Sequence, residues 1–306
     1  MPIGRKLETS KEDENNTKKS TISFESEIPK YTLDEIIVSK ETEKNILSII
    51  ALKKHHYRVF NDMGFSSTHK LSRKFIVNFY GPPGTGKTIT AHAIANAFNK
   101  KILIVDYSQI ESKYVGDTPK NLKKLFDFAI DDNCLIFFDE ADAILSRRVT
   151  NMQSATDTSV NQTRSVLLNI LNEYDGDVIF ASNFITNYDP AFMRRISKHI
   201  EFHLPDNKAR HELFKKYIPA SLLSNIDIEF LVSISEGVSA ADIETATLLS
   251  GFSAASKGND KLNTEDINEQ IISIKKSKEE NNRKNYTIKT SPVSEEQVKN
   301  QIGEII

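Results

Sequence analysis

Residues Gly81-Pro82-Pro83-Gly84-Thr85-Gly86-Lys87-Thr88 have the spacing G-x-x-x-x-G-K-[ST]. In that pattern a backbone loop wraps phosphate groups. Its glycines let successive N–H groups turn toward an anion. A helix starting where the loop ends adds the positive end of its dipole. Lys87 brings a full charge to the outer phosphates, and the Thr88 hydroxyl is a ligand for Mg²⁺. The expected phosphate and nucleotide contacts are Pro83, Gly84, Thr85, Gly86, Lys87, Thr88 and Ile89. Further on, Leu135-Ile136-Phe137-Phe138 is an apolar run that ends in Asp139-Glu140. Acids at the carboxyl end of a buried strand face a site there. Asp139 is expected to hold Mg²⁺, directly or through water, and Glu140 to polarise an attacking water as general base. These residues together predict ATP and Mg²⁺ as ligands and hydrolysis as the chemistry.

The elements that must position these groups follow from hydrophobic patterning. Short apolar runs predict strands over 74–80, 101–107, 134–138 and 178–182, each buried on both faces of a parallel sheet. A fifth run, 198–204, is mixed and predicts an edge strand. Helical stripes lie between them. Ile89, Ala93, Ile94, Ala97 and Phe98 form one, and Leu122, Leu125, Phe126 and Ala129 another, opened by Thr118-Pro119. Val160, Thr163, Leu167, Ile170, Leu171 and Tyr174 form a third, ended by Gly176. This alternation predicts a doubly wound α/β domain with a parallel sheet over residues 25–205. After Pro205 only helical patterns remain, over 208–217, 228–235, 240–255 and 264–275, so residues 206–280 predict a small all-helical lid. Residues 1–24 are polar and read as a disordered tail, and 281–306 as a second tail in which Tyr286 and Ile288 alternate.

With these motifs in place, about residues 30–280 resemble the AAA+ ATPases, especially the substrate-remodelling AAA group. The strand 178–182 ends in Asn183, which resembles sensor 1, a polar side chain that orients the lytic water. Asp189-Pro190-Ala191-Phe192-Met193-Arg194-Arg195 resembles the paired arginine-finger motif, whose arginines act on the γ-phosphate held by a neighbouring subunit. The planar fork of arginine suits spreading phosphoryl charge. Lys113-Tyr114-Val115-Gly116 resembles the first pore loop, where an aromatic side chain grips polypeptide, and residues 146–162 read as a polar second pore loop. The segment 31–38, with Ile36 and Ile37, is similar to the stretch that clamps adenine, although Ile37 replaces the usual glycine. Gly237-Val238-Ser239-Ala240-Ala241-Asp242 resembles the sensor-2 region, with Ala241 near the nucleotide, but lacks the arginine many relatives carry. The lid is therefore expected to sense nucleotide through backbone and packing. Asp106 ends the second strand and could restrain Glu140 or be an ordinary strand-end polar residue. Asp139-Glu140-Ala141-Asp142 also spells the DEAD of RNA helicases. The Ser154-Ala155-Thr156 that follows sits in a polar run instead of ending a core strand, which argues against that reading.

The resemblance implies a homohexameric ring, ATP hydrolysis at subunit interfaces, and a protein substrate drawn through the pore. A compact ring with only a short polar leader also resembles the remodellers of HORMA-domain proteins in bacterial anti-phage signalling. A HORMA protein is thus one target the resemblance implies, and a general unfoldase or complex-disassembling chaperone is another. A DNA-associated loader or initiator, a non-motor scaffold and a microtubule-severing enzyme are the remaining alternatives. Composition constrains these. The 306 residues carry a net charge of -2, which gives no sign of a bulk nucleic-acid or membrane binder. One cysteine, Cys134, excludes an internal disulfide, and the absence of a long apolar stretch or signal-peptide core predicts a cytoplasmic protein. The seven histidines form no metal-ligand pattern.

Overall fold

The computed structural model describes residues 24–69, 74–106, 118–146, 155–184, 188–259 and 261–285. Five strands form the centre: β1 (Phe75–Tyr80), β2 (Lys101–Asp106), β3 (Cys134–Asp139), β4 (Asp177–Ser182) and β5 (Lys198–Glu201). All pairings are parallel, in the order β2-β3-β4-β1-β5. A parallel sheet points every carboxyl end the same way, so the loops after β1, β3 and β4 must meet on one side.

Alternation along the strands divides the core in two. Phe75, Val77 and Phe79 join Leu135, Phe137 and Ile179 on one face, covered by α1 (Lys40–Tyr57) and α2 (Lys87–Ala97). Ile76, Ile136, Phe138, Val178 and Phe180 face the other way, under α3 (Thr118–Asp131) and α5 (Ala155–Glu173). Between β3 and α5 lies the short α4 (Asp142–Leu145), and between β4 and β5 the short α6 (Pro190–Met193), capped by the Asp189 carboxylate. Four helices follow: α7 (Asn207–Tyr217), α8 (Ile228–Ile234), α9 (Ala240–Ser256) and α10 (Thr264–Asn285). They enclose their own cluster, with Phe214, Leu231, Ile243, Ile267 and Ile271 at its centre.

The predicted α/β architecture with a helical lid is the one observed, and the mixed fifth strand lies at the edge. Several boundaries differ. Strand β5 stops at Glu201, three residues short of the expectation, although Phe202 still donates its N–H to Tyr80 O at 2.7 Å. Helix α5 starts at Ala155, so much of the expected polar loop over 146–162 is helical; a polar helix face reads like a loop when the apolar stripe begins later. Helix α10 runs to Asn285 and takes in residues assigned to the second tail, because its last turns are charged without being helix breakers. The first tail before residue 24 and the alternating Tyr286 and Ile288 lie outside the described residues.

Two contacts tie the flanks to the sheet. The stretch 24–32 crosses the outer edge of β2, where Glu27 and Ile102 exchange N–H···O bonds of 2.9 Å. It then lies on α2, with the Lys30 N–H 3.4 Å from His92 Nδ1 and the Tyr31 ring edge-on to His92. Burial pushes the His92 pKa down, against the opposing pull of Glu27. At the other end of the sheet, the fully buried Asp177 opens β4 and forms ion pairs with Lys53 of α1 and, at 2.9 Å, with Lys100 ahead of β2.

Removing one partner of a buried pair leaves charge uncompensated. Asp177→Ala is expected to cost about 3 kcal/mol, the lower end of the range for such losses because both lysines reach solvent. Urea unfolding followed by circular dichroism measures it; an unchanged midpoint would show that Asp177 does not hold α1 to the sheet.

Candidate active site

The loop after β1 is shaped by two close approaches. Gly81 has φ 139°, and a Cβ there would lie 2.0 Å from the Phe202 carbonyl oxygen. Gly84 has φ 73°, and its Cβ would meet Ser239 Oγ at 2.7 Å and Ala241 Cβ at 3.0 Å. The lid thus rests directly on the loop, where Ala241 donates its N–H to Gly84 O at 3.1 Å. Helix α2 begins at Lys87 and its first-turn N–H groups point into the loop. The Lys87 ammonium is nearly buried. It donates to Gly81 O at 2.7 Å, to Pro82 O at 3.0 Å and to Asn183 Oδ1 at 3.4 Å. Burial pushes its pKa down, while Asp139 and Asp142 pull it back up.

The three strand ends converge as the parallel sheet requires. Thr88 Oγ1 donates to Asp139 Oδ2 at 3.3 Å, placing two hard oxygen ligands side by side below the loop. These suit Mg²⁺, which takes few protein oxygens and fills its shell with phosphate and water. Among the described residues no group of three or more His, Cys, Asp or Glu side chains could hold a metal alone. Glu140 adopts φ 49°, a conformation that favours glycine, and donates its N–H to Asp139 Oδ1 at 3.0 Å. That turn sets the Glu140 side chain outside the strand line, exposed at the mouth of the site. Below them, Asn78, Tyr188 and Ser182 form a buried polar string, with Tyr188 Oη donating to Asn78 Oδ1 at 3.3 Å and hydrogen-bonded to the Ser182 hydroxyl.

A cavity of about 320 Å³ joins these groups. Pro83, Gly84, Gly86, Lys87, Thr88, Ile89, Asp139, Glu140, Asn183 and Ala241 all line it, together with Tyr217 and Glu244 of the lid. Thr85 is buried in the loop instead, its hydroxyl donating to Pro82 O at 2.8 Å. Ile36 and Ile37 do not line this cavity. Ile37 packs on the lid core, which accounts for a branched side chain where glycine is usual in the resemblance. Nearby, Lys216 of α7 donates to Glu35 O at 2.8 Å, so the 31–38 segment is tied to the lid. Tyr217 and Glu244 were not singled out from sequence, since neither falls in a motif; only the pattern of α7 and α9 could have placed them. Burial and the adjacent Glu244 push the Tyr217 phenol up to about 12. The register sets Asp106 beside Asp139, one residue short of Glu140.

Arg194 and Arg195 stand elsewhere. They line a groove with Lys74, Phe75, Ile76 and Val77, at the amino-terminal end of β1, whereas the phosphate loop follows its carboxyl end. A six-residue strand at roughly 3.3 Å per residue separates the two by about 16 Å. Arg195 is held within its own chain, by Asn172 Oδ1 at 2.7 Å and Ala191 O at 2.8 Å, while Arg194 is exposed. Lys113, Tyr114, Val115 and Gly116 lie outside the described residues.

Residues 77–204 match the model of the ATPase family associated with various cellular activities (AAA). The chain belongs to the AAA ATPases. It is 32% identical over 267 residues to the proteasome-activating nucleotidase of Saccharolobus solfataricus, covering 83% of this chain and 65% of that one. It is 30% identical over 251 residues to the 26S proteasome subunit RPT4 of Saccharomyces cerevisiae, 79% of this chain and 56% of that one. A probable 26S proteasome regulatory subunit 10B of Caenorhabditis elegans is 37% identical over 183 residues, 57% of this chain and 45% of the relative. The chain therefore spans less than two thirds of the length of these relatives. No described helix of this AAA chain is long and apolar enough to cross a membrane.

The contact between Gly84 and the lid generates a specific expectation. Gly84→Ala adds a methyl group at positive φ into Ser239 and Ala241, so the lid must move off the loop. Nucleotide affinity should fall by at least about tenfold, or 1.4 kcal/mol. Titration with a fluorescent ATP analogue reads this directly, and unchanged affinity would mean the lid is not part of the nucleotide site.

Proposed function

We propose that this AAA ATPase is a Mg²⁺-dependent ATP-hydrolysing remodeller, working as a homohexameric ring on a protein substrate. The single observation that carries the shared-site reading is the placement of Arg194 toward the amino-terminal end of β1, a strand of about 16 Å whose other end leads into its own phosphate loop. An arginine side chain does not span that distance, so Arg194 has a role at a phosphate only when a second subunit brings one to it. Lys87 and the loop N–H groups bind the phosphates. Thr88 and Asp139 hold the metal ion, which supplies charge neutralisation when bound. Glu140 takes the proton of the attacking water, and Asn183 orients that water. Ala241 borders the nucleotide cavity through packing and backbone more than through charge, while Ile36 and Ile37 lie off the cavity in the segment packed against the lid.

The relatives support the coarser reading of the substrate, a polypeptide, since their names place them with the proteasome. In this proposal Lys113, Tyr114, Val115 and Gly116 grip it. The choice between a dedicated HORMA-domain target and a general unfolding role rests with trapping. Substrate held by the Glu140→Gln ring and identified by mass spectrometry separates the two, and recovery of no specific protein speaks against dedicated remodelling.

Glu140→Gln should lower kcat by about 10²–10⁴-fold, the usual worth of a positioned base, with ATP binding retained. Arg194→Ala should be equally slow. Mixing the two inactive variants should restore part of the activity, because some interfaces then pair an intact Glu140 with an intact Arg194. Absence of any rescue on mixing, with mixed rings verified, would overturn the shared site.

A further inference from the structure

Around the site, Asp142 is foremost among the groups that the proposed chemistry leaves without a task. The β3–β4 ladder ends at Phe138↔Phe180, and the β1–β4 ladder ends at Tyr80↔Ser182. Asn183 therefore stands beyond both ladders, where no strand fixes its backbone. Asp142, the first residue of α4, takes over. Its Oδ2 accepts the Asn183 N–H at 3.0 Å and its Oδ1 accepts the Phe184 N–H at 3.4 Å. The residue before it continues the connection, with the Ala141 N–H donating to Ala181 O at 2.8 Å. Three contacts thus join the turn after β3 to the end of β4 and the residues just beyond it.

We infer that Asp142 is the positioning residue for Asn183 in ATP hydrolysis: its carboxylate clamps the two N–H groups that set where the Asn183 amide points. The inference rests on the proposed role of Asn183 as the water-orienting group. A carboxylate fits this task because it is acceptor-only, with an oxygen for each donor. An asparagine would have to turn its own NH₂ toward one of the two N–H groups. The amide so aimed has Oδ1 3.4 Å from Lys87 Nζ, so one clamp sets Asn183 relative to both the phosphate-binding ammonium and the base turn. The geometry matters because a misplacement of 1 Å at a reacting centre costs up to about a hundredfold in rate. Asp142 also lies close enough to Lys87 to act on its charge, and a purely electrostatic role through Lys87 is the competing account.

A double-mutant cycle on the full chain decides between them. Steady-state ATPase is measured for wild type, Asp142→Ala, Asn183→Ala and the double variant, with MgADP binding and thermal melting as checks on the fold. Asp142→Ala should lower kcat by roughly tenfold to a hundredfold, less than deleting a transition-state contact outright. KM for ATP should stay within about twofold, because the loss is confined to the transition state. The double variant should be no slower than Asn183→Ala, since removing the clamp matters only while there is an amide to aim. Asp142→Asn, which keeps one acceptor, should fall between wild type and Asp142→Ala. If Asp142→Ala does not fold, the same cycle is run with Asp142→Asn. Losses that multiply in the double variant, or a rise in KM at constant kcat, would overturn the inference in favour of the Lys87 route. The single variant Asn183→Ala tests the underlying role by itself. If its kcat matches wild type, that role falls and takes the positioning inference with it, whereas a slow Asn183→Ala with multiplicative losses sinks only the inference about Asp142.

Discussion

A nearly buried ammonium governs the arrangement of the site. Enclosing Lys87 costs desolvation free energy, and that cost must be offset by acceptors held in fixed places. Two are carbonyls of the loop itself, which is why the loop must fold back over the start of α2. A third, the Asn183 amide, comes from the end of β4, and the carboxylates of Asp139 and Asp142 come from the end of β3 and the turn beyond it. A parallel sheet with β1 between β4 and β5 brings these ends to one place. On the proposed reading, the same groups hold the charge where phosphate oxygens would arrive.

The described lid residues that line the cavity, Tyr217, Ala240, Ala241 and Glu244, include no cation. The lid's approach to the loop runs through the Ala241 N–H and the Ser239 and Ala241 side chains above Gly84, while Ile37 packs against the lid core. The missing sensor-2 arginine is thus accompanied by close backbone packing. Ile37 is informative here. As a departure from a glycine pattern it looks like a weakness of the adenine segment, yet in the fold it packs this segment against the lid core.

What could be read from sequence, and what could not, follows from the range of the signals. The strands carry near-continuous apolar runs and the phosphate loop carries a fixed spacing, so both are local and legible. Asp139, Glu140 and Asn183 are legible because each ends such a run. Asp142 sat in plain view within a four-letter motif, but its bonds reach across 41 and 42 positions, and no local pattern encodes that. Tyr217 and Glu244 likewise reach the cavity only through the packing of α7 and α9. The helix starts and ends that differed, at Ala155 and Asn285, fall where polar residues satisfy helix, loop and tail equally well. That Arg194 stands at the opposite end of β1 from its own phosphate loop is a property of the sheet, invisible to the motif that names the arginine.

The hydrogen bond from Ala241 to Gly84 joins the lid to the loop, so if that loop binds nucleotide as proposed, lid orientation and nucleotide occupancy would be thermodynamically linked variables. Linkage is reciprocal: if nucleotide changes the affinity of any molecule for the lid by some factor, that molecule changes nucleotide affinity by the same factor. A typical coupling of about 1–3 kcal/mol corresponds to a change of roughly five- to 150-fold at each site. If the cavity holds ATP as proposed, the four helices form a two-way link, through which a load on the lid would change how tightly ATP is held, and a nucleotide exchange would change how firmly the lid is gripped.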